Sequence, residues 1–157
     1  MMVGYFERRS LTEKLTQAQR MHKNGWINLT GSLDATRVSK ALSLSANIVR
    51  DVLDIHELPR AEFSDGVEYI FTHIPFGQTD SGKTAPFLIA ISGGHYITIS
   101  PHVKFSPLEV SDYLFSTTER PAGVFAANLA YIISQYEQRV HLLTEQISDA
   151  RRRLSRH

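Results

Sequence analysis

Gly77 to Thr84 reads G-Q-T-D-S-G-K-T, the letter pattern of a phosphate-binding loop. In that chemistry main-chain N–H groups cradle phosphates, Lys83 reaches the terminal phosphate and Thr84 holds Mg²⁺. It demands a helix beginning at the lysine, because the helix N-terminus supplies much of the anion site. The next residues here are A-P-F-L-I-A-I-S and then Gly93-Gly94. An early proline, a β-branched run and a glycine pair describe a strand and a turn. No later apolar strand ends in an aspartate suited to magnesium. The favoured reading is a polar loop between antiparallel strands, with a nucleotide-binding protein using Gly77–Thr84 kept as the alternative.

Other residues with chemical potential are weaker. Asp51, Asp54, Glu57 and Glu62 surround a Pro59-Arg60 corner. Oxygen ligands in that number suit a hard cation, but Arg50 and Arg60 stand among them, and structural ion pairs are the preferred reading. Histidines at 22, 56, 73, 95, 102, 141 and 157 lack the H-E-x-x-H arrangement and have no cysteine partners, so zinc ligation is not expected. No G-x-S-x-G elbow presents a serine nucleophile. Asp80 is a lone carboxylate at a loop tip, where little besides solvent explains a charge. These observations point away from an enzyme.

At 157 residues the chain suits one domain with a real core. A net charge of +1 argues against a dedicated nucleic-acid binder. The absence of cysteine excludes disulfides and fits a reducing compartment. The N-terminus has no apolar stretch of signal-peptide length. Nowhere do 18 consecutive apolar residues occur, so a membrane span is not expected.

Elements able to position Asp80 are legible. Val3 to Phe6 suggests a short edge strand, Leu11 to Met21 a helix, and W-I-N-L at 26–29 a strand. Asp34 is placed to cap a helix over about 35–42, and Ser45 a second bearing Ile48, Val49, Val52 and Leu53 on one face. Two hairpins come next: 60–64 with 67–76 across Asp65-Gly66, and 86–92 with 95–100 across Gly93-Gly94. Ser106, Pro107 and Glu109 form a helix-start signature, with Phe105 and Val110 as a hydrophobic staple. Pro121 opens a last helix whose seam runs Phe125, Leu129, Ile132, Tyr136, Val140, Leu143, Ile147, Ala150 and Leu154. About eight turns give roughly 45 Å at 1.5 Å per residue. A domain of this size has a radius of gyration of only about 15 Å. Part of the seam therefore needs a partner outside the domain, most simply a neighbouring subunit. The fold expected is an α/β/α sandwich with a mixed, largely antiparallel sheet. Residues 1–120 form the α/β domain, and residues 121–157 the beginning of a long stalk helix interrupted at its end. A soluble adaptor docking through that helix is a further alternative.

Four stretches carry a resemblance: W-I-N-L at 26–29, D-V-L-D-I-H-E-L-P-R-A-E-F at 51–63, Y-I-F at 69–71, and P-F-L-I-A-I-S-G-G-H-Y-I-T at 86–98. Together with A-A-N-L-A-Y-I-I-S-Q-Y-E-Q-R-V at 126–140, they resemble the N-terminal cytoplasmic domain of the CorA-type magnesium and cobalt transporter family. The likeness implies an α/β/α regulatory domain on the cytoplasmic side of the cell membrane. It also implies a stalk helix leading to two C-terminal transmembrane helices, and a homopentameric channel. Weakly bound regulatory Mg²⁺, with Co²⁺ or Zn²⁺ as variants, would hold that channel shut between neighbouring domains. Asp80 matches the position of one carboxylate of that site, its partner coming from a neighbour's stalk helix. The sequence departs from the family at Arg50, where a glutamate is usual, and at Leu58, where many members carry arginine. It holds no Gly-Met-Asn pore signature, so this polypeptide is not expected to conduct ions.

Overall fold

The structure, a computed structural model, describes residues 1–77 and 82–156. Strands β1 (Met2–Glu7), β2 (Thr16–Ala18) and β3 (Gly25–Thr30) come first, then helices α1 (Ala35–Leu42) and α2 (Ala46–Asp51). Strands β4 (Arg60–Ser64), β5 (Val67–Pro75), β6 (Thr84–Ser92) and β7 (His95–Ser100) follow. A 3₁₀ helix (Pro107–Tyr113) and the 35-residue α3 (Pro121–Ser155) close the chain. The seven strands lie in the order β2-β1-β3-β7-β6-β5-β4. β3 and β7 are parallel and the other pairs antiparallel. This is the expected mixed α/β/α sandwich.

Period-two alternation builds its two cores. Ile27, Leu29, Leu88, Ala90, Ile97 and Ile99 pack with Val38, Val49 and Val52 under α1 and α2. Trp26, Phe87, Ile89 and Tyr96 face the other way and meet Phe105, Val110 of the 3₁₀ helix, and Val124, Ala127 and Ile132 of α3. W-I-N-L thus feeds both layers. Its buried Asn28 is satisfied by the Phe105 carbonyl at 3.0 Å and the Thr98 hydroxyl at 2.7 Å.

Local signals decide most boundaries. The Asp34 carboxylate caps α1 by accepting from the Arg37 N–H. Asp65 (φ 51°) and Gly66 (φ 78°) both occupy the left-handed region, as a two-residue hairpin of this hand requires.

Several expectations are corrected. Leu11 to Met21 forms no helix. Instead Thr16–Ala18 pairs with β1 as the edge strand, so the first strand is not itself the edge. The rung between Tyr5 and Ala18 supplies order that helix propensity does not. Ser45 stands before α2 without a side-chain cap, and its own N–H donates to the Tyr69 hydroxyl at 2.8 Å. The segment after Ser106 is 3₁₀ rather than α. Glu109 does not complete a capping box there, since its carboxylate accepts from the Tyr131 hydroxyl at 2.6 Å.

Candidate functional site

The end of the β5–β6 hairpin lies against the middle of α3. Pairing continues past the rung between Pro75 and Thr84, where the Phe76 N–H donates to the Lys83 carbonyl at 3.0 Å. Gly77 and Gly82, both at positive φ, turn the chain out of and back into the ladder. A groove of about 160 Å³ separates Pro75, Gly82, Lys83 and Thr84 from Tyr136, Val140 and Leu143 of α3. Asp80 lies outside the described residues, as do the other positions from 78 to 81 and His157. Its flanks therefore define the candidate site.

This geometry overturns the nucleotide-binding alternative. Thr84 is the first residue of strand β6 and pairs with Pro75. A strand beginning one residue after Lys83 presents no row of free helix N–H groups to a phosphate.

The acidic corner is an ion-pair hub. Arg60 bonds Asp51 at 2.7 Å, Glu62 at 3.4 Å, and Glu57. Its guanidinium also sits 4.2 Å from the centre of the Phe71 ring. Burial opposes the Arg60 charge, but the hydrogen bonds to Asp51 and Glu62 and the charge of Glu57 outweigh it and raise the pKa. With a guanidinium at its centre, the cluster already holds its cation. Arg50 does not share this role, because it bonds the Asn47 side chain at 3.1 Å. Asp54 accepts from the His56 N–H at 2.9 Å. Among the described residues no three His, Cys, Asp or Glu side chains converge to hold a metal.

Two histidines are structural. His102 meets the Leu53 carbonyl at 3.0 Å. His73 contacts both Thr84 and the Glu57 carbonyl, and its own carbonyl accepts from the Tyr136 hydroxyl at 3.1 Å. That junction is absent from any local pattern, since its partners lie up to 63 positions apart.

No family model and no curated protein matches the sequence. Solved structures do match. The complete CorA magnesium transporter from Methanocaldococcus jannaschii superposes with a TM-score of 0.74 at 17% identity, over 98% of this chain and 51% of that one. The soluble domain of the same CorA gives 0.74 at 19% identity, over 98% and 64%. The chain has the CorA soluble-domain fold. The ZntB cytoplasmic domain from Vibrio parahaemolyticus RIMD 2210633 is a further match, with a TM-score of 0.55 at 12% identity over 93% of this chain and 62% of that one. The chain thus spans about half the length of the complete CorA. α3 packs on the sheet through Val124, Ala127 and Ile132. Beyond Ile132 its apolar side chains are largely exposed: Ile133, Val140, Leu143, Ile147 and Leu154 cover none of the core. Among the described residues no helix is long and apolar enough to cross a membrane.

Proposed function

We propose that the chain is the cytoplasmic cation-sensing domain of a CorA-like divalent-cation transport channel, non-enzymatic and acting by gating. The observation that carries this reading is the seating of the β5–β6 hairpin end beside α3, in a fold shared with the CorA soluble domain. Asp80 belongs to the segment joining those two strands. It serves as one carboxylate of a regulatory site completed by a neighbouring subunit. Facing carboxylates repel, and a bound Mg²⁺ turns repulsion into a bridge. Such a cation shifts population only through tighter binding to the closed assembly. Weak affinity near the cellular free Mg²⁺ level is what sensing needs. Co²⁺ and Zn²⁺ are the competing cargo classes. The exposed seam of α3 supplies the self-association, and in the whole channel five copies surround the pore carried by further transmembrane helices.

Limited proteolysis of the channel with and without MgCl₂ tests the reading. Asp80→Ala should lose Mg²⁺ protection. Protection equal to that of the unsubstituted protein would remove Asp80 from the site.

A further inference from the structure

His73 joins the two helical layers through the sheet. Along β5, Tyr69 and Phe71 face α1 and α2, so by two-residue alternation the His73 ring lies on that face as well. There Nε2 is 2.5 Å from the Glu57 carbonyl oxygen. A carbonyl only accepts, so Nε2 carries the proton and donates. Nδ1 lies 3.0 Å from the Thr84 hydroxyl, and in the neutral ring it accepts that O–H.

The main chain of His73 faces elsewhere. The Phe76 N–H points to β6, so the His73 carbonyl, an odd number of residues away, points to the opposite edge. Pairing with β4 ends at the rung between Arg60 and Phe71. His73 runs beyond it, and its carbonyl takes the Tyr136 hydroxyl of α3 instead. One residue thereby holds the Arg60 corner through Glu57, the first residue of β6 through Thr84, and α3 through Tyr136.

We propose that His73 is a positioning residue that couples the start of β6 to α3, so that cation binding by the β5–β6 hairpin is felt at Tyr136. This rests on the sensing reading above. Hydrogen exchange of the whole channel, with and without saturating MgCl₂, tests it. In the unsubstituted protein Mg²⁺ should slow exchange both at the β5–β6 end and in α3 around 133–143. Thr84→Val removes the hydroxyl while keeping a β-branched strand residue, and Tyr136→Phe removes only the link to the His73 carbonyl. Both should retain the first protection and reduce the second about fivefold, the equivalent of one hydrogen bond. Thr84→Ser, which keeps the hydroxyl, should respond like the unsubstituted protein.

If both variants keep full protection of α3, or lose protection at both places, His73 does not couple them and the proposal fails while the sensing reading stands. If Mg²⁺ protects neither segment of the unsubstituted protein, the sensing reading fails and takes the proposal with it.

Discussion

The indole N–H of Trp26 donates to the hydroxyl of Thr98 at 2.9 Å, across the parallel β3–β7 pair at the centre of the sheet. The same hydroxyl donates onward to Asn28 at 2.7 Å. Thr98→Val keeps the shape and strands both partners in a dry core. Each stranded group costs about 1–3 kcal/mol. A loss of about 3 kcal/mol in urea unfolding is expected, with no change in the slope that reports exposed surface.

Gly123 lies in the first turn of α3, where replacing glycine by alanine ordinarily raises helix stability by up to about 1 kcal/mol. A Cβ here would overlap the Ser116 Oγ and stand 2.6 Å from the Ser116 Cβ. Gly123→Ala should therefore destabilise, and Gly123→Ala with Ser116→Gly should recover the loss. Thermal melts of the single and double variants read the reversal, and an unchanged or raised Tm for the single variant would contradict the contact.

Alkaline stability rests on three phenols. Burial raises the pKa of Tyr96 despite its hydrogen bond from Asn128, burial and Glu109 raise that of Tyr131, and burial raises that of Tyr136. The unfolded chain releases these protons at about pH 10, before the folded one does. Stability is then full below that pH and declines as pH rises through the interval up to the folded pKa values. Tyr96, the most buried, contributes up to about 1.4 kcal/mol per pH unit, and the half-exposed Tyr131 and Tyr136 contribute less because solvent screens them. Chemical denaturation from pH 8 upward should give a plateau and then this decline, with a shallower slope in Tyr96→Phe.

Val140, Leu143, Ile147 and Leu154 expose an apolar seam on α3. Leu143→Glu with Ile147→Glu should abolish self-association in sedimentation velocity while moving stability by no more than about 0.5 kcal/mol, as for surface sites generally. A large fall in stability would instead place the seam within the fold of the single chain.

The hairpins and the start of α1 were legible because their causes are local. Asp65-Gly66 needs only its own φ angles, and Asp34 caps a helix beginning one residue later. The α3 seam was equally visible, and its exposed half emerged from comparing its length with the size of a domain. Leu11 to Met21 misled, because three residues of it obey a pairing with β1 rather than their own propensity. The phosphate-loop letters misled for a related reason: the pattern names residues, while the chemistry depends on whether a helix or a strand comes after Lys83.

What the amino-acid order determined alone was the alternation that splits W-I-N-L between two cores, the turns that fold β4 on β5 and β6 on β7, and the stripe along α3. Each is a periodicity or a preference expressed within a few residues. Only the tertiary structure decided that Arg60 gathers three carboxylates, that Glu109 serves Tyr131 rather than its own helix start, and that His73 meets Glu57, Thr84 and Tyr136. Those contacts join segments far apart in the chain. Hydrogen bonds act only over about 3 Å, so their partners exist only once the sheet and its two layers have closed.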